Sequence, residues 1–76
     1  MVVKIYTTTW CPWCKTAKEF FKENKIKFTE LNVENQEYAK EMVEKSGQTG
    51  VPVIDVDGRI IVGFDKEKLK KVLRLK

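Results

Sequence analysis

The sequence predicts an α/β fold in which a four-stranded mixed sheet is flanked by helices. Short β-branched runs alternate with longer amphipathic stretches in the order β-α-β-α-β-β-α. The first two runs are joined through a helix, so we expect them to pair in parallel through a right-handed crossover. The Asp57-Gly58 dipeptide favours a tight type I′ hairpin, which should extend the same sheet antiparallel.

The first predicted strand and helix flank both cysteines of the chain. Residues 2–7 are apolar and β-branched, as in a buried strand. Pro12 suits the first helical turn, where its missing N–H would have no partner. The helical pattern runs from Trp13 to about Asn24. It places Cys14, Ala17, Phe20 and Phe21 on one face and Lys15, Lys18, Lys22 and Lys25 on another.

The remaining elements follow from their own local patterns. Residues 27–33 alternate apolar and polar side chains, which predicts a strand. Asn35 can cap a second helix, with apolar positions at Tyr38, Ala39, Met42 and Val43 and an end at Ser46-Gly47. Residues 52–56 and 59–63 form the predicted hairpin. A last helix begins near Asp65, its predicted N-cap, and buries Leu69, Val72 and Leu73.

Length and composition indicate a single domain spanning residues 1–76. With 42% hydrophobic and 34% charged residues the chain fits a compact globular protein and not a disordered one. No apolar run approaches the roughly 20 residues of a bilayer helix, and residues 1–6 are too short a run for a secretory signal. We expect a cytoplasmic protein without a membrane partner, and in that compartment a cysteine pair is more often catalytic than structural.

The two cysteines, Cys11 and Cys14, lie at the predicted junction of a strand and a helix. A thiolate is the reactive form of cysteine, and a helix N-terminus favours a negative sulfur. Cys11 precedes the helix and can receive its free N–H groups, so we expect it to attack a substrate disulfide. Cys14 lies one turn inside and faces the protein, so we expect a less exposed thiol that resolves the mixed disulfide. Lys15 adds a positive charge nearby, with a small effect on a solvated face.

Other interpretations of the pair remain open. A permanent disulfide across so short a loop would stabilise the fold little. Zinc usually needs four Cys or His ligands, and the chain has two Cys and no His, so we expect no resident metal in a monomer. A metal or iron–sulfur cluster shared by two chains through Cys11 of each is an alternative.

The formal net charge is +4, which could attract acidic partners or substrates. The lysines alternate with glutamates, however, and therefore predict a solvated surface. The lysine face has no interleaved aromatic pattern, so we expect no nucleic-acid partner.

Three motifs in this order resemble the glutaredoxin family, especially its short bacterial members and the NrdH-type redoxins. They are Cys11-Pro12-Trp13-Cys14 after a strand, Thr49-Gly50-Val51-Pro52 before the hairpin, and Gly63-Phe64-Asp65 before the last helix. The resemblance covers nearly the whole chain. It implies a thioredoxin-like fold and a monomeric thiol-disulfide oxidoreductase that binds no cofactor and acts on disulfide-containing proteins or glutathione mixed disulfides.

The resemblance also implies how substrate is held. Pro52 should be a cis proline beside the cysteines, with the Val51 backbone free to pair with a peptide or glutathione; a trans Pro52 that opens a strand is the alternative. Trp13 should lie beside the active sulfur as a surface aromatic, whereas Trp10 should only pack against the loop. The other implied substrate or glutathione contacts are Pro12, Gly63, Phe64 and Asp65, and Asp65 has an equal claim as a simple helix cap.

Two departures from the family pattern leave the reductant open. Glutathione-using members usually carry a lysine shortly before the first cysteine, where this chain has Thr7-Thr8-Thr9. They also usually have two glycines and a later aspartate before the last helix, where this chain has Val62 and Lys66. The reductant is therefore either glutathione as a co-substrate or a flavoprotein thioredoxin reductase. The second would make the protein an NrdH-like donor to enzymes such as ribonucleotide reductase.

Overall fold

The computed structural model describes residues 2–74 and contains the predicted sequence of seven elements. Met1, the first residue of the run considered as a secretory signal, lies outside the described residues. The elements are β1 (Val3–Thr7), α1 (Pro12–Glu23), β2 (Thr29–Asn32), α2 (Gln36–Ser46), β3 (Val53–Val56), β4 (Arg59–Val62) and α3 (Lys66–Leu73). No helix within residues 2–74 is long and apolar enough to cross a bilayer.

The four strands form one mixed sheet in the order β2-β1-β3-β4. As predicted, β1 pairs in parallel with β2, and β3 pairs antiparallel with both β1 and β4. The hairpin turn has positive φ angles at Asp57 (51°) and Gly58 (90°), which a type I′ turn requires. The predicted thioredoxin-like architecture is confirmed, and β1 leads out of the centre of the sheet directly into the cysteine loop.

Helices α1 and α3 cover one face of the sheet with an apolar core. Because side chains alternate along a strand, Ile5 and Ile54 point to this face, whereas their neighbours Tyr6 and Val53 point to the other. The predicted inner face of α1 is confirmed. The buried residues of this core are Val3, Ile5, Ala17, Phe20, Phe21, Ile54, Val56, Ile61, Leu69 and Leu73. Val72 was predicted to be buried but is only partly so, because it lies at the edge of the cluster.

Helix α2 covers the opposite face. Its N-cap is Asn35 and its C-cap is Gly47 in the left-handed region (φ 72°), as predicted. Of its four predicted apolar positions only Met42 is fully buried, against Tyr6 and Val53. The others are half-buried or exposed because α2 contacts the sheet partly through charged side chains.

Strand β2 is shorter than the predicted 27–33 because its pairing with the five-residue β1 ends at Asn32. It is an edge strand of the sheet. Leu31 and Val33 follow the predicted alternation, since both pack against the cluster under α2, whereas Phe28 precedes the strand and packs against the core under α1. The hairpin strands are likewise one residue shorter than predicted, at Pro52 and at Gly63.

Candidate active site

Cys11 is the N-cap residue of α1. Its backbone is extended (φ −109°, ψ 105°), and its Sγ accepts a hydrogen bond of 3.0 Å from the backbone N–H of Cys14. Pro12 occupies the start of the helix, where a missing N–H has no cost. The free N–H groups and the positive end of the α1 dipole are thus directed at the Cys11 sulfur.

Cys11 and Cys14 form a disulfide, with their Cα atoms 5.2 Å apart. They differ in accessibility: Cys11 is partly exposed, whereas Cys14 is 1% exposed and faces the core. An incoming molecule therefore meets the sulfur of Cys11 first. The predicted difference in exposure between the two sulfurs is confirmed.

The loop before β3 presents a free backbone segment. The Val51–Pro52 peptide bond is cis, as the resemblance implied, and Pro52 is buried. The Pro52 carbonyl accepts a 2.8 Å hydrogen bond from the N–H of Gly63, which joins this loop to the end of β4. Within residues 2–74, neither the N–H nor the carbonyl of Val51 has a hydrogen-bond partner. That backbone can accept an extended peptide by strand-like pairing.

The third motif contacts the first through two aromatic rings. Gly63 adopts a positive φ of 82°, which turns the chain from β4 towards α1. Phe64 then stacks on Trp13 with ring centroids 6.5 Å apart and packs edge-on against Phe20. Trp13 is 63% exposed, so the pair forms an aromatic surface beside the cysteine loop. Pro52, Gly63, Phe64 and Trp13 are therefore linked by successive contacts.

Comparison with known proteins agrees with this geometry. A family model described as Glutaredoxin matches residues 3–61, which is most of the chain. The chain belongs to the glutaredoxin family.

Three curated relatives cover most of this glutaredoxin-family chain. It is 47% identical over 73 residues to an uncharacterized glutaredoxin-like 8.6 kDa protein in the rubredoxin operon of Clostridium pasteurianum, covering 95% of this chain and 97% of that protein. It is 39% identical to glutaredoxin 3 of Escherichia coli K12, covering 83% and 77%. It is 32% identical to the glutaredoxin-like protein NrdH of Lactococcus lactis, covering 93% and 99%.

Among solved structures, the chain is similar to a mutant of the thioredoxin-like protein BC3987. The TM-score is 0.91 at 27% identity, and the match covers 97% of this chain and 96% of that one. The high TM-score over nearly the full length supports the thioredoxin-like fold.

Asp65 is the N-cap of α3 in this glutaredoxin fold. Its Oδ1 accepts a 3.1 Å hydrogen bond from the backbone N–H of Lys68. The capping interpretation of Asp65 is confirmed, and its contact with substrate stays a prediction. Trp10, in contrast, does not pack against the loop as expected: it is 90% exposed. The expectation for Trp10 was wrong because the loop turns this side chain outward, away from both cores.

The motifs did not reveal Gln48, which fixes the loop that carries Val51. Its side-chain amide donates to the Gly50 carbonyl (2.9 Å) and accepts from the Gly50 N–H. The same Gln48 amide donates to the Ser46 hydroxyl at 3.3 Å, which links the loop to the last residue of α2. The sequence did contain a signal for this contact: a side-chain amide two residues before a glycine, a spacing that suits a local hydrogen bond from side chain to backbone.

Polar contacts from β2 and from the turn that follows it hold the cysteine loop, and these too were missed. The Asn32 amide donates to the Thr9 hydroxyl and the Thr9 N–H donates to the Glu34 carboxylate, both at 3.3 Å. Below them the buried Thr7 hydroxyl donates to Glu30 at 2.8 Å. These bonds tie the residues just before Cys11 to the neighbouring strand.

Glu30 itself is held in its ionised form. A hydrogen bond from the Lys18 ammonium, 2.9 Å long, lowers the pKa of Glu30 more than partial burial raises it, and the Thr7 hydroxyl lowers it further. The ion pair joins α1 to β2 next to the cysteine loop. It therefore adds a polar contact between α1 and the neighbouring strand.

Proposed function

We propose that this chain is a dithiol-disulfide oxidoreductase that reduces protein disulfides and glutathione mixed disulfides. The observation that carries the proposal is the partly exposed Cys11 sulfur, capping α1 above the buried Cys14. The family membership supports it. Cys11 and Cys14 are the proposed catalytic residues, and electrons pass through the thiols without a bound cofactor.

The proposed reaction is a pair of thiol-disulfide exchanges. The Cys11 thiolate attacks one sulfur of the substrate disulfide, forms a mixed disulfide with it, and releases the other sulfur as a thiolate that takes a proton from water. Cys14 then loses its proton, attacks the Cys11 sulfur and releases the second substrate thiolate. Two electrons have moved from the dithiol to the substrate, and the chain is left with the Cys11–Cys14 disulfide seen in the structure.

The Val51 backbone and the aromatic surface would position the substrate. An extended peptide or the backbone of glutathione can pair with the free N–H and carbonyl of Val51. Trp13 and Phe64 offer an apolar contact beside it, with Pro12, Pro52 and Gly63 shaping the approach. The α3 N-terminus at Asp65 presents its N–H groups to a carboxylate of the substrate.

Replacement of each cysteine tests the assignment of roles. Cys11→Ser should reduce turnover of a glutathione mixed disulfide to the uncatalysed background, because a hydroxyl is not ionised at neutral pH. Cys14→Ser should still form the mixed disulfide with a protein disulfide but accumulate it, since the resolving thiol is gone. Mass spectrometry of the trapped adduct checks this. Full activity of Cys11→Ser in a correctly folded protein would show that the roles are misassigned.

The source of electrons is a second proposal within the same class. The threonines at positions 7–9 and Val62 and Lys66 depart from the pattern of glutathione-using members, and NrdH-type relatives match most of the chain. We therefore propose thioredoxin reductase as a reductant alongside glutathione, both in the cytoplasm, where these systems keep thiols reduced. Coupled NADPH oxidation with each reductant separates the two: the faster coupled rate identifies the electron donor.

A cluster carrier that uses Cys11 of two chains is the alternative from another class. Cys11 is the accessible sulfur that could ligate a shared cluster. The second thiol at Cys14 favours the dithiol reaction instead, because it can resolve any bond that Cys11 makes. Anaerobic reconstitution with iron and sulfide decides: a coloured dimer would support the carrier, and a colourless monomer would exclude it.

A further inference from the structure

Cys11 and Pro12 also line a groove of about 600 Å³. Its other walls come from the cysteine loop and from the lysine face of α1: Thr8, Thr9, Trp10, Lys15, Lys18, Glu19 and Lys22. None of the residues proposed to hold substrate on the Val51 and Phe64 side, apart from Cys11 and Pro12, belongs to this lining. We call it the lysine groove. A molecule bound to Cys11 thus has two separate surfaces next to the reactive sulfur.

The lysine groove is positively charged. Lys15, Lys18 and Lys22 are spaced by three and four residues and so share one side of α1. Glu19 is the one acidic residue of the lining, and Lys18 is paired with Glu30 from β2. Within residues 2–74, neither Lys15 nor Lys22 has a carboxylate within 4.0 Å. These two ammonium groups are therefore available to a partner.

Trp10 places an aromatic side chain at the same groove. It is 90% exposed, and its position in the loop is fixed because Thr9 is hydrogen-bonded to Asn32 and Glu34. A single exposed aromatic is ordinary on a protein surface. Exposed aromatic side chains are enriched at interfaces with other proteins, and the lysines beside Trp10 add positive charge that selects an acidic partner.

We propose that the lysine groove binds an acidic segment that flanks the disulfide of a protein substrate. This inference rests on the proposed oxidoreductase function. A protein whose disulfide reacts with Cys11 brings the residues around its own cysteine next to the lysine groove. Charge complementarity favours carboxylates among those residues. Along the helix axis Lys15 lies about 6 Å and Lys22 about 16 Å beyond Cys11, the lengths of about two and five extended residues. The acidic side chains should thus lie about two to five residues from the substrate cysteine.

Such a contact acts on association and not on the exchange itself. Exposed opposite charges raise the rate of productive encounter, and salt screens them with a Debye length of about 10 Å at 0.1 M. The groove should therefore raise kcat/KM for acidic substrates at low ionic strength and lose the effect at high salt. A small neutral disulfide should be insensitive to it.

The test uses two synthetic peptides with the same disulfide, one flanked by three Glu residues and the other by three Gln residues. With dithiothreitol as reductant, the wild-type protein should reduce the Glu peptide roughly tenfold faster in kcat/KM at low ionic strength. The double variant Lys15→Glu and Lys22→Glu should remove or reverse this preference. A matched control with the same charge change, Lys40→Glu and Lys71→Glu, alters exposed lysines outside the groove and should keep it.

Bis(2-hydroxyethyl) disulfide, which is small and neutral, separates the two proposals. If the wild-type protein reduced neither this compound nor either peptide, the oxidoreductase function would be refuted. If it were reduced, but both peptides reacted equally or the Lys40 and Lys71 control lost the preference as fully as the groove variant, only the lysine groove would be refuted. Because each result is a ratio of two peptides on one protein, a change in Cys11 reactivity caused by Lys15→Glu cancels.

Discussion

The two faces of the sheet are built differently although the same strands form both. The face under α1 and α3 holds ten buried apolar residues in one cluster, and α1 carries the cysteine pair. The face under α2 holds three, Tyr6, Met42 and Val53. Beside those three lies a charged and polar group centred on Lys45, which is larger than the Lys18, Glu30 and Thr7 group between α1 and β2.

Lys45 is at the centre of this polar group. Its ammonium donates to Asp55 at 2.7 Å and to the Tyr6 hydroxyl at 2.9 Å, and it lies 3.1 Å from Glu41. The Tyr6 hydroxyl in turn donates to Glu41, and the N–H of Gly58 donates to Asp55, both at 2.7 Å. Within residues 2–74 every buried side-chain nitrogen or oxygen has a partner. The network is therefore complete and joins α2 to β1 and to the hairpin.

This difference indicates that the face under α1 and α3 provides most of the stability, whereas the face under α2 aligns strand β3. Burial of apolar area is the main favourable term in folding, so the face under α1 and α3 should supply most of the free energy. A partly buried ion pair loses hydration and contributes little net stability, but it accepts few alternative geometries. Asp55 lies on β3, which begins directly after Pro52, so the α2 network aligns the strand that follows the substrate loop.

The largest expected effect is on the apolar face. Phe21→Ala should lower the free energy of unfolding by about 3–5 kcal/mol, since Phe21 is fully buried between Phe20 and Phe28. A chain of 76 residues has a total stability of about 4–11 kcal/mol, so much of it would be lost. Urea denaturation measures the change. Met42→Ala, the matched control under α2, should cost nearer 2 kcal/mol; an equal or greater loss there would break the comparison.

The apolar face was predictable from sequence because its signal is local. Cys14, Ala17, Phe20 and Phe21 recur at helical spacing, and all four are buried as the pattern indicates. The cysteine site follows the same rule: a proline at the first turn and a cysteine before it specify an N-cap without any distant contact.

The polar face was not predictable because its signal is not local. Lys45 and Asp55 are ten residues apart, and Tyr6 and Lys45 are 39 apart, so only the folded chain brings them together. Taken singly, each charged residue is typical of a solvated surface. The lysine groove has the same origin, since the helical pattern places Lys15 and Lys22 on one face but does not show that Trp10 and Cys11 complete a groove beside them.

The next largest expected effect is a decrease of folding stability in acid, caused by Asp55 on the polar face under α2. Burial raises the pKa of Asp55, but hydrogen bonds from Lys45 and from the Gly58 N–H outweigh it and hold the pKa below its usual value. A carboxyl whose pKa is lower in the folded state contributes stability above its unfolded pKa, near 4, and loses it as the pH falls through the folded value. Stability should therefore decline below about pH 4.

Asp55→Asn measures this contribution because it removes the charge and keeps the shape. At pH 7 the variant should lose about 1–3 kcal/mol, since Lys45 loses a charged partner. Its stability should then fall less steeply than that of the wild type between pH 5 and pH 2. Glu30 and Glu41, whose pKa values are also lowered by hydrogen bonds, leave a residual slope. Parallel pH profiles for the two proteins would contradict the assignment to Asp55.

The smallest expected effect is the loss of stability when the Tyr6 hydroxyl is removed and its ring is kept. Burial raises the pKa of Tyr6, so the neutral hydroxyl persists as the donor to Glu41. Tyr6→Phe keeps the ring packed with Met42 and Val53, and Lys45 keeps Asp55 and Glu41 as partners, so we expect a loss of only about 1 kcal/mol by urea denaturation. A loss above about 3 kcal/mol, as large as that of a buried aromatic ring, would mean that the polar network itself provides stability. The two faces would then differ in chemistry but not in their contribution to folding.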